Sequence, residues 1–461
     1  MADTATRHSM TAGTAPDGAV SAGTVVVLGL GVTGLSCLRY LSGRGSRLLV
    51  ADSREQPPGM AGLAGAAPDA ELIVGSLDVD LPDNTVQLVV SPGLSLDLPV
   101  IREARRRGIE VVGDVELFAR AVHQPFAAIT GSNGKSTVTT MVAAMAARCG
   151  RQMPAGGNLG TPALDLLSMP AEGFILELSS FQLELTESLA PRVATILNLS
   201  ADHIDRHGSM EAYAAAKARI LRHAKHIVVN RQDPIVVGLA AGRESAVSFG
   251  LDAPPGDDDF GVVEREGERW LVRGETTLMR SRELGIPGTH NILNALAALA
   301  VGERMGLDGE PSRAALRDYR GLPHRTQMVA ERRGVKWIND SKATNVGAAV
   351  AAIRGMDGPV ILIAGGDGKG ANFGPLVEVL RGKVRLAILL GRDARLLAEA
   401  IGNVVPWEIV ETMEAAVAMA RHLANPGDVV LLSPACASLD MFADYAARGD
   451  AFRRSVLEGN A

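Results

Sequence analysis

From Thr24 onward the chain alternates short apolar runs with amphipathic or polar stretches, and this rhythm predicts its architecture before any motif is considered. Between 24 and about 113 the runs "TVVVLG", "RLLVAD", "ELIVG", "VQLVVS" and "EVVGD" alternate with helical or turn segments. Apolar, β-branched strands separated by helices predict a parallel α/β sheet. A second strand-to-helix unit begins at "FAAITGSNGKST" and runs through an alanine-rich helix to "GFILELSS" and "VATILNLS", predicting a separate α/β domain. Between 230 and 285 the pattern shortens to pieces such as "AVSFG" and "GVVEREGERWLVRGETTLMRS", which predict small antiparallel strands attached to that middle domain. After "YRGLPHR" a third series, "VKWIND", "PVILIAGG", "VRLAILLG" and "DVVLLSPA", predicts a third parallel α/β domain. The expected boundaries are a tail over 1–23 and domains over 24–113, 114–321 and 322–461.

Composition narrows the function classes. A chain of 461 residues, 47% of them hydrophobic, exceeds what one core holds and suits several domains. The tail "MADTATRHSMTAGTAPDGAVSAG" is small and polar, without the apolar centre of a signal peptide, and a disordered segment is expected. No stretch is long and uncharged enough to span a bilayer, so a soluble protein without a membrane partner is expected. The net charge is −6, and the one basic run, "REARRRG" (102–108), reads as a solvated helix face, which argues against nucleic acid as a partner. Cys37, Cys149 and Cys436 lie far apart with no metal spacing, in keeping with a reduced, cytoplasmic setting. The aspartates of "PPGDDDF" (254–260) read as a solvated loop rather than a metal site.

Two glycine loops carry the candidate chemistry. In "TVVVLGLGVTGLSCLRY" a strand runs into Gly29-x-Gly31-x-x-Gly34 and then a helix. Such glycines allow a tight turn, backbone approach to a pyrophosphate and close helix packing, and Asp52 ends the next strand where a ribose hydroxyl would need an acceptor. The pattern serves any nucleotide, so a nicotinamide or flavin enzyme stays open at this point. The second loop, "TGSNGKST" (130–137), is more specific, although Gly131 and Gly134 lie closer together than in the full phosphate-loop pattern. Between a strand and a helix, its backbone N–H groups and the helix dipole suit ATP phosphates; Lys135 can neutralise them and Ser136 can sit on Mg²⁺. Magnesium needs further oxygen ligands, which Glu177 at the end of "FILE" can supply. "NLSADHIDR" brings Asp202 and His203 to the same sheet edge and favours metal binding there.

These residues resemble a known family, the ATP-dependent Mur ligases of peptidoglycan synthesis. The matching stretches run in order from "GLGVTGLSC" through "GDVELF", "AITGSNGKSTVTT", "GGNLGTPAL", "LELSSFQLE", "TILNLSADHIDR", "AAKARI", "HNILNALAAL", "GLPHR", "WINDSKATN" and "GGDGK" to "LSPACASLD". The resemblance implies three α/β domains: a Rossmann-like one binding the UDP substrate, a P-loop ATPase-type one with a small antiparallel sheet, and a Rossmann-like one closing over ATP and binding the amino acid. It implies an ADP-forming amide-bond ligase acting through an acyl phosphate and a tetrahedral intermediate, in cell-wall biogenesis, cell shape and cell division.

Within the family, "GGDGKGANF" matches the branch that adds D-glutamate to UDP-N-acetylmuramoyl-L-alanine. By that resemblance the ATP contacts are Gly131, Ser132, Asn133, Gly134, Lys135, Ser136, Thr137, Asn291, Asn294, Arg325 and Asp340. Two Mg²⁺ sites are implied, drawn from Ser136, Glu177, His203 and Lys217, the last carbamylated by CO₂; on composition alone Lys217 reads as a solvated helix lysine. The UDP substrate would meet Gly31, Val32, Thr33, Gly34, Asp52, Ser53, Arg54, Gly93, Asn158, Ser179 and Gln182. D-Glutamate would meet Lys342, Thr344, Lys369, Ser438 and Tyr445, where the family's usual phenylalanine is a tyrosine and Phe442 lies nearby. Cys436 reads as a packing residue rather than a nucleophile. A monomer is expected. The alternatives are another Mur or a folylpolyglutamate-type ligase and, from a different class, a nicotinamide-dependent oxidoreductase, which leaves the second loop, Glu177 and His203 without roles.

Overall fold

Each of the three apolar series forms a sheet in the computed structural model, which describes residues 23–243 and 246–458. The tail expected over 1–23 lies, apart from Gly23, outside the described residues. Backbone contacts divide the chain into two compact units. One holds the residues up to His123 with Gly160–Pro170 and Phe181–Leu189; the other holds Gln124–Leu159, Ala171–Ser180 and everything from Ala190 onward.

The first unit contains β1 (Thr24–Leu28), β2 (Arg47–Asp52), β3 (Glu71–Val74), β4 (Thr85–Val90) and β5 (Glu110–Val112), all parallel in the order β3-β2-β1-β4-β5. Every residue of β1 is buried, as a central strand covered on both faces requires. The chain leaves β1 toward β2 on one side and returns to β4 on the other. Strand order therefore reverses at the carboxyl end of β1, where an open α/β sheet has its ligand crevice. The segments 160–170 and 181–189 pack with this unit: Ser36 and Arg39, on the helix Val32–Leu41, donate to Asp165, and Leu185 joins the core around β1 and β4.

The second unit contains two sheets. Nine strands, β6 (Phe126–Thr130), β7 (Ala155–Gly157), β8 (Phe174–Glu177), β9 (Val193–Ile196), β10 (His226–Asn230), β11 (Ala246–Phe249), β12 (Phe260–Arg265), β13 (Glu268–Arg273) and β14 (Thr276–Arg280), run in the order β14-β13-β12-β11-β10-β9-β6-β8-β7. β6 to β11 are parallel and wholly or largely apolar, so "AVSFG", expected as an antiparallel strand, instead continues the parallel sheet beside β10, whereas β12, β13 and β14 pair antiparallel with one another and extend the edge of the same sheet. The helix Lys135–Arg148 buries Val138, Met141, Val142 and Met145, spaced along one face, into the core of this sheet.

The other sheet contains β15 (Gln327–Arg332), β16 (Val335–Asn339), β17 (Val360–Gly365), β18 (Val384–Leu390), β19 (Trp407–Ile409) and β20 (Val429–Leu432), ordered β15-β16-β20-β17-β18-β19. β15 is antiparallel to β16; the remaining pairs are parallel. The two edge strands, β15 and β19, add to the four apolar runs. β19 is exposed along its length and β15 is only half-buried, so neither carries an apolar run that periodicity detects. Among the described residues no helix is long and apolar enough to cross a membrane.

Candidate active site

In the first unit a cavity of about 400 Å³ opens at the carboxyl end of β1, lined by Gly31, Val32, Thr33, Asp52, Ser53, Arg54 and Gly93 among others. Gly34 stands behind it: a Cβ there would lie 2.0 Å from Gly29 O, so only glycine lets the helix Val32–Leu41 sit this close to the turn. Asp52 is buried and fully engaged. Its oxygens accept from Leu30 N at 2.7 Å and from Arg54 Nε and Nη2 at 2.8 and 2.7 Å. The Arg54 guanidinium, with the Leu30 amide, holds the carboxyl down to about 2. Asp52 thus braces the glycine turn and aims Arg54, which is the more exposed partner. Gln182 also belongs to this unit, where its Nε2 donates to Asp114 Oδ2 at 3.1 Å. Burial pushes the Asp114 carboxyl up to about 6.

The phosphate loop occupies the turn between β6 and the helix Lys135–Arg148. Gly134 caps that helix with φ +83° and offers no side chain to its first amides, and a helix N-terminus left without a side-chain cap suits an anion. A Cβ on Gly134 would lie 2.5 Å from Asn294 Oδ1. Lys135 folds back over its own loop, donating to Gly131 O at 2.8 Å and Ser132 O at 3.0 Å. Burial pushes its ammonium below the usual lysine range, partly opposed by Glu177. Ser136 is buried, and its Oγ accepts from Arg325 Nη2 at 2.7 Å, so an arginine from the "GLPHR" stretch reaches the phosphate loop.

Around this loop stand the residues expected to hold metal. Glu177 ends β8, is 2% exposed, and accepts from Asn158 Nδ2 at 2.7 Å through Oε1; its Oε2 has no hydrogen-bond partner among the described residues. A buried carboxylate oxygen left unpaired is costly unless a cation completes it, so Glu177 fits a metal ligand. Lys217, on the helix Met210–Ala218, is also 2% exposed. Its Nζ donates to Gly131 O at 3.1 Å and Thr130 Oγ1 at 3.2 Å and lies 4.8 Å from the centre of the Tyr213 ring. Burial, and then the Lys135 charge, hold this ammonium well below the usual range and favour the neutral amine. His203 opens a short helix at φ +55°, with Nε2 3.7 Å from Asp202 Oδ2, which also accepts from Asn345 Nδ2 at 3.0 Å. Among the described residues no three His, Cys, Asp or Glu side chains group closely enough to hold a metal by themselves. The donor set that fits Mg²⁺ is therefore mixed: the Glu177 carboxylate, the Ser136 hydroxyl and oxygens of a bound nucleotide. In the triple aspartate Asp257 and Asp258 are exposed, Asp258 pairing with Arg273, and half-buried Asp259 accepts from Ser248 N.

A second cavity, about 330 Å³, lies beside the phosphate loop, and Asn133, Gly134, Thr137, Asn291, Asn294, Arg325, Asp340 and Lys342 all line it. Asn294 Nδ2 donates to Asn291 Oδ1 at 3.2 Å. His290, which sequence reasoning passed over, lines the same wall; its Nδ1 has no partner among the described residues, and burial pushes the ring down to about 4. Its only sequence signal was adjacency to "NILN". Asp340, following β16, accepts from Thr326 N at 3.0 Å and Ser433 Oγ at 2.9 Å, and burial raises it to about 6. Lys342 places Nζ 3.7 Å from the centre of the Tyr445 ring, and burial lowers it to about 8, with the Glu177 charge opposing. Thr344 N donates to Lys342 O, Ser438 is buried, and Lys369 is exposed with φ +50°. Cys436 is buried with its thiol pushed up to about 12, a neutral packing group.

Family models match along most of the chain: the Mur ligase MurD-like N-terminal domain over 23–113, the Mur ligase middle domain over 129–302 and the Mur ligase glutamate ligase domain over 324–436. The UDP-N-acetylmuramoylalanine–D-glutamate ligase of Nitrosococcus oceani is 52% identical over 440 residues, covering 95% of this chain and 97% of the relative. The protein of the same name from Pseudomonas putida is 51% identical over 435 residues, covering 94% and 96%. Among solved structures, the UDP-N-acetylmuramate–alanine ligase of Thermotoga maritima superposes with a TM-score of 0.61 at 18% identity, over 95% of this chain and all of that one. Two glycine loops, three α/β sheets and these matches in sequence and fold agree: the chain belongs to the Mur ligase family.

Proposed function

We propose that the chain joins D-glutamate to UDP-N-acetylmuramoyl-L-alanine, with cleavage of ATP to ADP and phosphate, in peptidoglycan precursor synthesis. The observation that carries this reading is the uncapped phosphate loop with Lys135, half-paired Glu177 and buried Lys217 around it, and Lys342 facing Tyr445 beyond. The names of relatives about half identical along nearly the full length support the same substrates. In this reading 24–113 binds the UDP substrate, 114–321 binds ATP and 322–461 closes over ATP and receives D-glutamate. The enzyme works as a cytoplasmic monomer needing neither nucleic acid nor membrane.

The chemistry follows from charge. A terminal carboxylate oxygen of the substrate attacks the γ-phosphorus, the bond to the β-phosphate oxygen breaks, and ADP leaves from an acyl phosphate. The amine of D-glutamate then attacks the acyl carbon; the tetrahedral intermediate collapses as the carbon–oxygen bond to phosphate breaks and the amine proton is lost. Pressing a carboxylate against a triphosphate opposes like charges, so cations and positioning dominate over covalent catalysis. Lys135 exchanges the loop carbonyls it now touches for phosphate oxygens, and Arg325 adds a second cation beside Ser136. Mg²⁺, when bound, neutralises phosphate charge and polarises the transferred group. Ser136 and Glu177 would hold one ion; His203 and a carbamate on Lys217 would hold another. Carbamylation joins CO₂ to an unprotonated amine, the form that burial of Lys217 favours.

The test is phosphate release from ATP with a panel of amino acids. Release that requires both UDP-N-acetylmuramoyl-L-alanine and D-glutamate is expected; preference for an L-amino acid would overturn the assignment. A pH dependence follows from Lys342. Its ammonium attracts the substrate carboxylate and is lost as pH rises through about 8. The KM for D-glutamate should thus be flat below pH 7 and climb up to about tenfold per pH unit above 8. Lys342→Arg, which stays charged, should flatten that limb. A wild-type KM that stays level to pH 10 would remove Lys342 from the carboxylate site.

A further inference from the structure

Arg448 is among the largest fully buried side chains, 2% exposed, and no carboxylate hydrogen-bonds to it among the described residues. It rises from the helix Tyr445–Glu458, and its guanidinium spends its donors on loops instead. Nε donates to Ser341 Oγ at 3.0 Å, Nη2 to Ser341 O at 2.9 Å and Cys436 O at 3.1 Å, and Nη1 to Ala437 O at 3.2 Å and Gly365 O at 3.5 Å. These contacts come from the ends of β16, β20 and β17. Two of them adjoin residues of the proposed amino-acid pocket: Ser341 precedes Lys342, and Ala437 precedes Ser438. Ala437 also exchanges backbone hydrogen bonds with Asp367, two residues from Lys369. Ser341 Oγ in turn donates to Tyr445 O at 2.8 Å, closing the circuit at the start of the helix.

The local backbone needs such a clamp. Ala435 and Lys369 hold φ of +60° and +50°, a region L-residues occupy only when their surroundings over-determine it. A planar fork with five donors can satisfy three strand ends at once, which a lysine cannot. The guanidinium turns its donors to these loop oxygens, so it organises the loops and leaves contact with a ligand to the residues they carry.

We propose that Arg448 is a positioning residue for the amino-acid substrate: it ties the loops bearing Lys342, Ser438 and Lys369 to Tyr445 in one rigid receptor for a dicarboxylic amino acid, touching the substrate through none of its own atoms. This rests on the D-glutamate reading above. The test is steady-state kinetics of full-length Arg448→Lys and Arg448→Met, varying each substrate in turn, with thermal unfolding as a fold check. Loss of charge-assisted hydrogen bonds should raise the KM for D-glutamate about tenfold or more in both variants. The KM for UDP-N-acetylmuramoyl-L-alanine should change less than about twofold, since none of these loops binds it in this reading, and the KM for ATP, which Asp340 beside Ser341 would meet, should rise less than that for D-glutamate. Ser341→Ala, which removes one rung and keeps the cation, should move the same parameter by less. Should Arg448→Met unfold, Arg448→Lys and Ser341→Ala still decide. Unchanged KM for D-glutamate, or an equal loss for all three substrates, would overturn the positioning role. A wild-type enzyme that ignores D-glutamate would overturn the functional reading instead.

Discussion

Replacing Lys135 by alanine should lower ADP formation by about three orders of magnitude, near 4 kcal/mol of transition-state stabilisation. The ammonium is the one cation built into the phosphate loop, and it already lies 2.8 and 3.0 Å from loop carbonyls that a triphosphate would replace. Burial strengthens its field, because charges interact more strongly where water is excluded, and burial is also what depresses its pKa. Lys135→Arg should recover little. The loop is tight, with Leu197 and Asn294 packed on Gly131 and Gly134, and a broader guanidinium has no room to reach the same point. Single-turnover phosphate release checks both variants. A Lys135→Ala enzyme that retains a tenth of wild-type turnover would show that this loop does not bear the triphosphate.

Lys217 carries the second large effect. Lys217→Met keeps the length of the side chain and removes the amine, and should reduce turnover at least about a hundredfold while raising the Mg²⁺ concentration needed for half-maximal rate by about 10–100-fold. Lys217→Arg should fail equally, because it forces a permanent charge into a site that already lowers the lysine's affinity for a proton and cannot form a carbamate. Wild-type protein equilibrated with ¹³C-labelled bicarbonate should show a carbamate carbon resonance that both variants lack. Absence of that resonance at saturating bicarbonate, with full activity, would leave Lys217 as a buried hydrogen-bond donor to Thr130 and Gly131 and nothing more.

Much of the architecture was legible because its signals are local. A fully apolar strand such as β6, a glycine turn and a helix with a buried stripe at 138, 141, 142 and 145 are written in consecutive residues. The five strands of the first sheet were readable in the same way. β15 and β19 were not, because edge strands need hydrogen-bond partners and not an apolar run. The shortened runs announced the antiparallel strands β12 to β14 and their attachment to the middle domain, but not that β11, "AVSF", pairs parallel with both β10 and β12.

Site residues divide along the same line. "TGSNGKST" announces a phosphate site because the turn, the cation and the hydroxyl sit within eight residues. By contrast, "AYAAAKARI" reads as a helix with a solvated lysine and nothing in the sequence singles out Arg448, yet Lys217 and Arg448 are almost wholly buried. What buries Lys217 is Thr130 and Gly131, 87 and 86 residues earlier in the chain; what buries Arg448 is Ser341, Gly365, Cys436 and Ala437. Asp52 is similar: its place at a strand end was readable, whereas its engagement by Arg54 and Leu30 depends on how the turn folds over it.

By itself, then, the sequence determined three α/β domains, two phosphate-type loops and, through ordered motifs along nearly the full chain, the family. Hydrophobic period and turn chemistry act over a few residues, so a linear reading captures them. Only the tertiary structure decided which lysine is buried and held below its usual range, which glutamate oxygen is left unpaired and which arginine is locked among carbonyls. Burial and hydrogen-bond satisfaction are set by groups distant in the chain, and it is desolvation by those groups that turns an ordinary side chain into a reactive or organising one.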